Sequence, residues 1–209
     1  MSPSEEHIAF YYELGFAITQ WAHIEHHLCL IATACFERKD AKLVGLGFFS
    51  IENFRSKLQF IHRIFRQKFE GTNHINDWLI LHDRINTWSA KRNHLAHYTA
   101  HGYMMNRPGR RYALIPWIST GKQSRLTRRN PNLAIVPPEA LFVRDIIAIR
   151  FEFFAITVSL RNFLCRLNGE PEIFPKSSEQ PSCPPTIHTI RDQIHVALGH
   201  RLGPSRKKP

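Results

Sequence analysis

Trp78-Leu-Ile-Leu-His-Asp-Arg-Ile-Asn-Thr-Trp-Ser-Ala-Lys-Arg-Asn-His-Leu-Ala-His97 is the stretch that decides how this chain is read. Trp78, Leu81, Ile85 and Trp88 follow one another in steps of three and four, which places them on one face of an α-helix predicted over 75–101. The same stepping continued from Trp88 arrives at Arg92, not at a hydrophobe. A guanidinium therefore stands where the period calls for a buried side chain. Asn93 and His97, four residues apart, share the neighbouring face.

Three further helices carry the same period. From Ser4 to Phe36 the apolar series is Tyr11, Leu14, Ile18, Trp21, Leu28 and Ala32, interrupted at Glu25. A carboxylate inside an apolar stripe is costly to bury alone, so Glu25 either faces water or meets a cation, and Arg92 is the expected partner. Lys39 to Gly47 reads as a break punctuated by Gly45 and Gly47. A second helix is expected from Ser50, a suitable N-cap, to Phe69. Its stripe is Ile51, Phe54, Leu58, Ile61 and Phe65, with Arg55, Lys57, Arg63, Arg66 and Lys68 around the outside. After Pro137-Pro-Glu139 a fourth helix runs to Leu167 on Val143, Ile146, Ile149, Phe153, Ile156, Leu160, Phe163 and Leu167. It is apolar enough to be the central buried helix or a dimer surface, and Gly169 stops it.

Gly102 to Val136 differs from everything around it. Arg107, Arg110, Arg111, Lys122, Arg125, Arg128 and Arg129 fall in this segment without one Asp or Glu. Asn106-Arg-Pro-Gly109 is a turn signal between Tyr103-Met-Met and Tyr112-Ala-Leu-Ile-Pro-Trp, so a β-hairpin is expected there, followed by a basic loop over Ser119 to Asn132. The seven cations suit a nucleic-acid backbone, with Tyr103, Tyr112 or Trp117 as stacking faces; the alternative is a solvated loop with its aromatics tucked onto the helices. The expected fold class is therefore all-α: an up-and-down bundle of four long helices in residues 1–168, with the hairpin and basic loop inserted at 102–136 between the third and fourth. Residues 169–209 hold seven of the thirteen prolines and read as a mostly flexible tail, with one marginal helix over Thr186 to Leu202.

Twenty-eight Lys and Arg against seventeen Asp and Glu give a formal charge of +11, and the sequence pI is about 9.9. A polyanion is the partner such a balance suits, and RNA is the one expected. The beginning of the chain has no basic n-region or apolar h-region, and no eighteen apolar residues run together, so a soluble, cytoplasmic protein without membrane partners is expected. Cys29, Cys35, Cys165 and Cys183 lack C-x-x-C spacing and read as reduced, mostly buried thiols. His23, His26 and His27, with His94, His97 and His101, have spacings that invite a zinc reading. They lack the His-Glu-x-x-His order and a nearby cysteine pair, so no metal and no cofactor is expected.

Arg92, Asn93 and His97 together form a phosphate-binding constellation with a titratable group. Arginine offers a planar, permanently charged fork to phosphate oxygens, and histidine moves protons near neutral pH. Attack of an RNA 2'-hydroxyl on its own phosphodiester needs those two functions and no metal. The Arg-Asn-x-x-x-His form of these residues resembles the Arg-x4-6-His signature of the HEPN superfamily (higher eukaryotes and prokaryotes nucleotide-binding). The flanking helices also look like that family, down to a Trp and a Glu at the spacing of Trp21 and Glu25, and the resemblance spans residues 5 to 168. It implies a metal-independent endoribonuclease, of the toxin or phage-defence kind, in which Arg92 and His97 are catalytic, Asn93 positions the phosphate or imidazole, and Glu25 supports the motif. It also implies a homodimer with two motifs facing each other, and an antitoxin or defence-system partner. Other members of that family bind nucleotides without cutting them. A non-catalytic module for RNA, a nucleotide or a partner protein is therefore the alternative, and a purely structural Arg92 is a third.

Overall fold

The computed structural model describes residues 3–104, 110–116 and 139–172. Among them five α-helices and a three-stranded antiparallel sheet follow in the order α1 (Pro3–Ala34), α2 (Ala41–Ser50), α3 (Phe54–Phe69), α4 (Asn73–His97), β1 (Thr99–Met104), β2 (Arg110–Ile115), β3 (Leu141–Phe142) and α5 (Val143–Asn168). A single turn of 3-10 helix, Arg38–Asp40, leads into α2. The protein is mostly helical. Residues 1–2, 105–109, 117–138 and 173–209 lie outside the described residues.

The core is the stack of apolar faces that α1, α3 and α4 turn toward α5. Ile146, Ile149, Phe153, Ile156, Leu160 and Phe163 of α5 are all buried, which makes α5 the central helix and leaves its stripe no surface for a second copy. Trp21 packs on Phe153 with centroids 4.9 Å apart and on Phe54 at 4.8 Å, and Trp88 approaches Phe153 edge-on at 6.3 Å. One layer along, Phe65, Trp78 and Phe163 form a second aromatic cluster. Such rings contribute through buried area and through offset or edge geometry, about 0.5–1.5 kcal/mol per pair beyond area alone.

Four expectations need correcting here. The buried series of α1 is Phe10, Ala17, Trp21, Ile24, Leu28 and Ile31, one position away from the expected stripe in its first half, where Tyr11 and Ile18 are 48% and 37% exposed. Two apolar series interleave there, and the one that wins aims Phe10 and Ala17 inward and leaves Tyr11 half-exposed. The 39–47 segment is a helix for most of its length despite two glycines. Because α2 ends at Ser50, whose hydroxyl donates back to the Leu46 carbonyl at 2.8 Å, Asn53 caps α3, its Oδ1 accepting from the N–H groups of Arg55 and Ser56. Lys57 is not on the outer basic face. It is 8% exposed.

At the other end α4 stops at His97, and Tyr98 to Thr99 passes straight into the sheet. Thr99 pairs with Ile115 and Gly102 with Tyr112, and β2 pairs on its far side with β3 through Ala113–Phe142 and Leu114–Leu141. The hairpin was expected, but its first strand takes Thr99 to His101 from the helix expected to run to His101, and β3 holds Leu141 and Phe142 where the fourth helix was expected to have begun at Glu139. Gly102 lies under the Tyr112 ring, where an added Cβ would come within 3.4 Å of Cε1. Tyr112 itself stacks on His7 at 4.7 Å and lies beside Phe10, so β2 closes against the start of α1 and that ring is no free stacking face. The Phe142 N–H donates to Asp145 Oδ2 at 2.9 Å to open α5, and Gly169, at φ +70°, closes it in the left-handed conformation. A buried ion pair ties the first and last helices: Arg150 Nε lies 2.8 Å from Glu13 Oε2, without the alignment of a hydrogen bond.

Candidate functional site

Arg92 sits on α4 where the face begun by Trp78, Leu81 and Ile85 leaves the core, so the guanidinium is half-buried and not enclosed. It lines an open cleft of about 200 Å³ together with Ile18, Trp21, Ala22 and Glu25 of α1 and Phe49 of α2. The wall is apolar and aromatic, and Arg92 and Glu25 are its two charged members.

Glu25 is not the partner of Arg92. Its Oε1 accepts a hydrogen bond from Trp21 Nε1 at 3.1 Å, and its Oε2 accepts one from Lys57 Nζ at 2.9 Å. Lys57 reaches this carboxylate through the ring cluster of α2, its ammonium 5.3 Å from the Phe48 centroid and 5.5 Å from that of Phe49. The expected Glu25–Arg92 pair is thus replaced by a Trp21–Glu25–Lys57 chain. The reason is reach: Lys57 occupies the edge of the buried stripe of α3, three residues after Phe54 and four before Ile61, and meets α1 directly. That spacing was the available signal for it in the sequence.

Arg92 has no carboxylate partner among the described residues. Its Nη1 donates to Asn93 Oδ1 at 3.3 Å, an exposed contact between sequence neighbours. Asn93 is exposed. His97, one turn on at the last residue of α4, is exposed too and does not line the cleft. Five residues on a helix turn the chain through about 140° relative to the starting face, so one copy of the motif brings Arg92 and Asn93 together and leaves His97 to one side. Between them His94 stacks on Tyr98 at 4.7 Å. Burial, and then Lys91, hold its imidazole below the ordinary histidine range, so it is neutral near pH 7.

Comparison of the chain with family models, with curated proteins and with solved structures finds no match. The chemistry of the site has to speak for itself.

Of the other residues expected to hold RNA, Arg110 and Arg111 belong to β2, and Arg107, Lys122, Arg125, Arg128 and Arg129 lie outside the described residues. The hairpin starts two residues after His97, so the segment carrying these charges leaves from the motif end of α4. Among the described residues no three His, Cys, Asp or Glu side chains group so as to hold a metal ion, and no helix is long and apolar enough to cross a membrane. Cys29, Cys35 and Cys165 are buried free thiols, and burial pushes the Cys35 thiol up to about 11. Cys183 lies outside the described residues.

Proposed function

We propose that the protein is a metal-independent endoribonuclease whose working unit is a two-fold dimer, with an Arg92–His97 motif from each copy facing one scissile phosphate. The observation that carries this reading is the guanidinium of Arg92, half-buried at a cleft and without a carboxylate partner among the described residues. An arginine held there unpaired is poised for an anion, and a planar fork matches two phosphate oxygens. In the reaction an imidazole takes the proton of the 2'-hydroxyl, the 2'-oxygen attacks phosphorus, and a second imidazole delivers a proton to the departing 5'-oxygen. The products are a 2',3'-cyclic phosphate and a 5'-hydroxyl. Arg92 stabilises the charge that builds on the phosphorane, and Asn93 positions the arginine.

One chain supplies one exposed His97, and two proton transfers on opposite sides of the phosphate need two imidazoles. A symmetric pair provides the second at no cost in sequence. Exposed apolar side chains stand beside the cleft for such a contact, Phe49 at 57% and, on the same helix, Leu43 and Leu46. The finer architecture in this reading is an up-and-down bundle of four long helices of HEPN type, and its setting is a cytoplasmic toxin or phage-defence effector with an antitoxin or defence-system partner.

A second reading is favoured by the displacement of His97 from the Arg92 cleft: a module that binds RNA or a nucleotide and does not cut it. Mixed RNA incubated with the protein in excess EDTA separates the two. Fragments ending in 2',3'-cyclic phosphate, lost in Arg92→Ala and in His97→Ala, support the nuclease; intact RNA retained in a salt-sensitive, Arg92-dependent complex supports the binding module.

A further inference from the structure

Glu25, the one acidic group among the described residues that line the Arg92 cleft, is paired from behind with the buried Lys57. Two charges of opposite sign line one small cleft, and left alone they would pair with each other, since an arginine and a carboxylate within reach form strong, often bidentate contacts. They do not pair, and each oxygen of Glu25 already accepts a hydrogen bond, one from Trp21 Nε1 and the other from Lys57 Nζ. Lys57 gives up nearly all its hydration for this, with its ammonium enclosed by Glu25, Phe48 and Phe49. A buried ion pair is seldom more stabilising than an apolar pair of the same shape, so stability alone is a weak reason for it.

We propose that Lys57 is a positioning residue for the phosphate site: by neutralising and pinning Glu25 it leaves the Arg92 guanidinium uncompensated and available to an RNA phosphate. This inference rests on the reading of Arg92 as the phosphate-binding group. Without the lysine charge, Glu25 turns to the nearest cation in the cleft, Arg92, and an internal carboxylate takes the place of the ligand. Arg84 and Arg166 show the opposite state among the described residues, each paired with a carboxylate, with Glu152 and with Asp77 respectively. Arg92 differs because its neighbouring carboxylate is already satisfied.

The test is binding of a fluorescent, non-cleavable 2'-O-methyl RNA of about twelve nucleotides, followed by anisotropy, with and without Arg92→Ala in each background. In the wild-type background Arg92→Ala weakens binding about tenfold, the loss of one charged hydrogen-bonding contact. Lys57→Met weakens it by a similar factor, and adding Arg92→Ala to Lys57→Met costs less than about twofold more, because the arginine is already captured. Lys57→Met/Glu25→Gln regains affinity to within about threefold of wild type and recovers the full Arg92→Ala effect, since an amide still accepts from Trp21 and no longer competes for the guanidinium. Circular dichroism at the assay temperature checks that each variant is folded. If Lys57→Met does not fold, Lys57→Gln keeps an N–H donor for Glu25 without the charge, and the same expectations apply to it. A folded Lys57 variant that binds as wild type, or in which Arg92→Ala still costs tenfold, overturns the inference. These outcomes are independent of cleavage: RNA that binds through Arg92 but is never cut removes the nuclease reading and leaves the role of Lys57 standing, while an Arg92→Ala change without effect in the wild-type background removes both.

Discussion

Arg92 and His97 lie on one helix yet divide the work between cleft and surface. Arg92 is held by its helix, by Asn93 and by the cleft wall, so its charge is fixed in direction; His97 is exposed at the helix end, where replacement disturbs no packing. His97→Ala is therefore expected to fold as wild type, keep RNA affinity within about twofold and lose at least about 10²-fold in cleavage rate, the usual worth of a positioned proton-transfer group. Circular dichroism, anisotropy and a gel-based cleavage assay check the three parts. A well-folded His97→Ala protein that cuts at the wild-type rate ends the nuclease proposal. Arg92→Lys, which keeps the charge but not the planar fork, is expected to lose most of the cleavage as well.

At the scale of elements, the contact of α3 with α4 contains a titrating pair. Trp78 Nε1 donates to His62 Nδ1 at 3.3 Å, and the His62 and His82 rings lie 4.5 Å apart. Burial lowers both imidazoles below 6.5; Arg66 adds to this at His62, and His62 adds to it at His82, where Asp83 opposes. Since the unfolded chain takes up these protons at higher pH than the folded one, the stabilisation is present above about pH 6.5 and is lost as pH falls through the depressed folded values. Protonation also turns the Nδ1 acceptor into a donor facing the indole N–H. The urea midpoint is expected to drop between about pH 7.5 and pH 5, and His62→Gln, which keeps an acceptor but does not titrate, to flatten that drop. An unchanged profile in His62→Gln would assign the acid sensitivity elsewhere.

For the molecule as a whole, the ion pair of Glu13 and Arg150 joins the first helix to the last. Glu13 is 1% exposed. Burial raises its carboxyl and Arg150 is what opposes the rise. Arg150→Met leaves that carboxylate alone in the core and is expected to cost about 3–5 kcal/mol. A carboxyl whose folded value lies above its unfolded one favours the fold below the unfolded value and loses that advantage as pH rises through the folded value, so the deficit should be larger at pH 8 than at pH 5. Urea denaturation at both pH values measures it. The net charge belongs to this scale too: neutralising Arg125, Arg128 and Arg129 together should weaken RNA binding and reduce its salt slope by about three counterions at most. Affinity and slope that stay put would assign those residues to solubility. Light scattering at micromolar concentration decides the dimer, and mixing Arg92→Ala with His97→Ala decides the site: a self-contained site predicts no change on mixing, while a shared one predicts mixed dimers that behave differently from either parent.

Much of this was legible in the sequence because it depends on period alone. The spines of α3, α4 and α5, the presence of a hairpin and the glycine stop at Gly169 follow from steps of three and four, from β alternation and from a turn signal, all local properties of the chain, whereas the end of α4 at His97 did not, since its expected span ran on to His101. Arg92 at the end of a buried series was visible for the same reason. Where two apolar series overlapped, as Phe10 and Ala17 do with Tyr11 and Ile18, the period offered both, and contact with α5 selected one. Where a residue sat on the edge of a stripe, as Lys57 does, charge alone argued for the surface, and a carboxylate thirty-two positions earlier in the chain decided for the interior. The partner of Glu25 was a question of which cation arrives first in three dimensions, and spacing along one chain cannot answer it. Tertiary structure gave Glu25 to Lys57, and Arg92 lines the cleft without a carboxylate partner among the described residues.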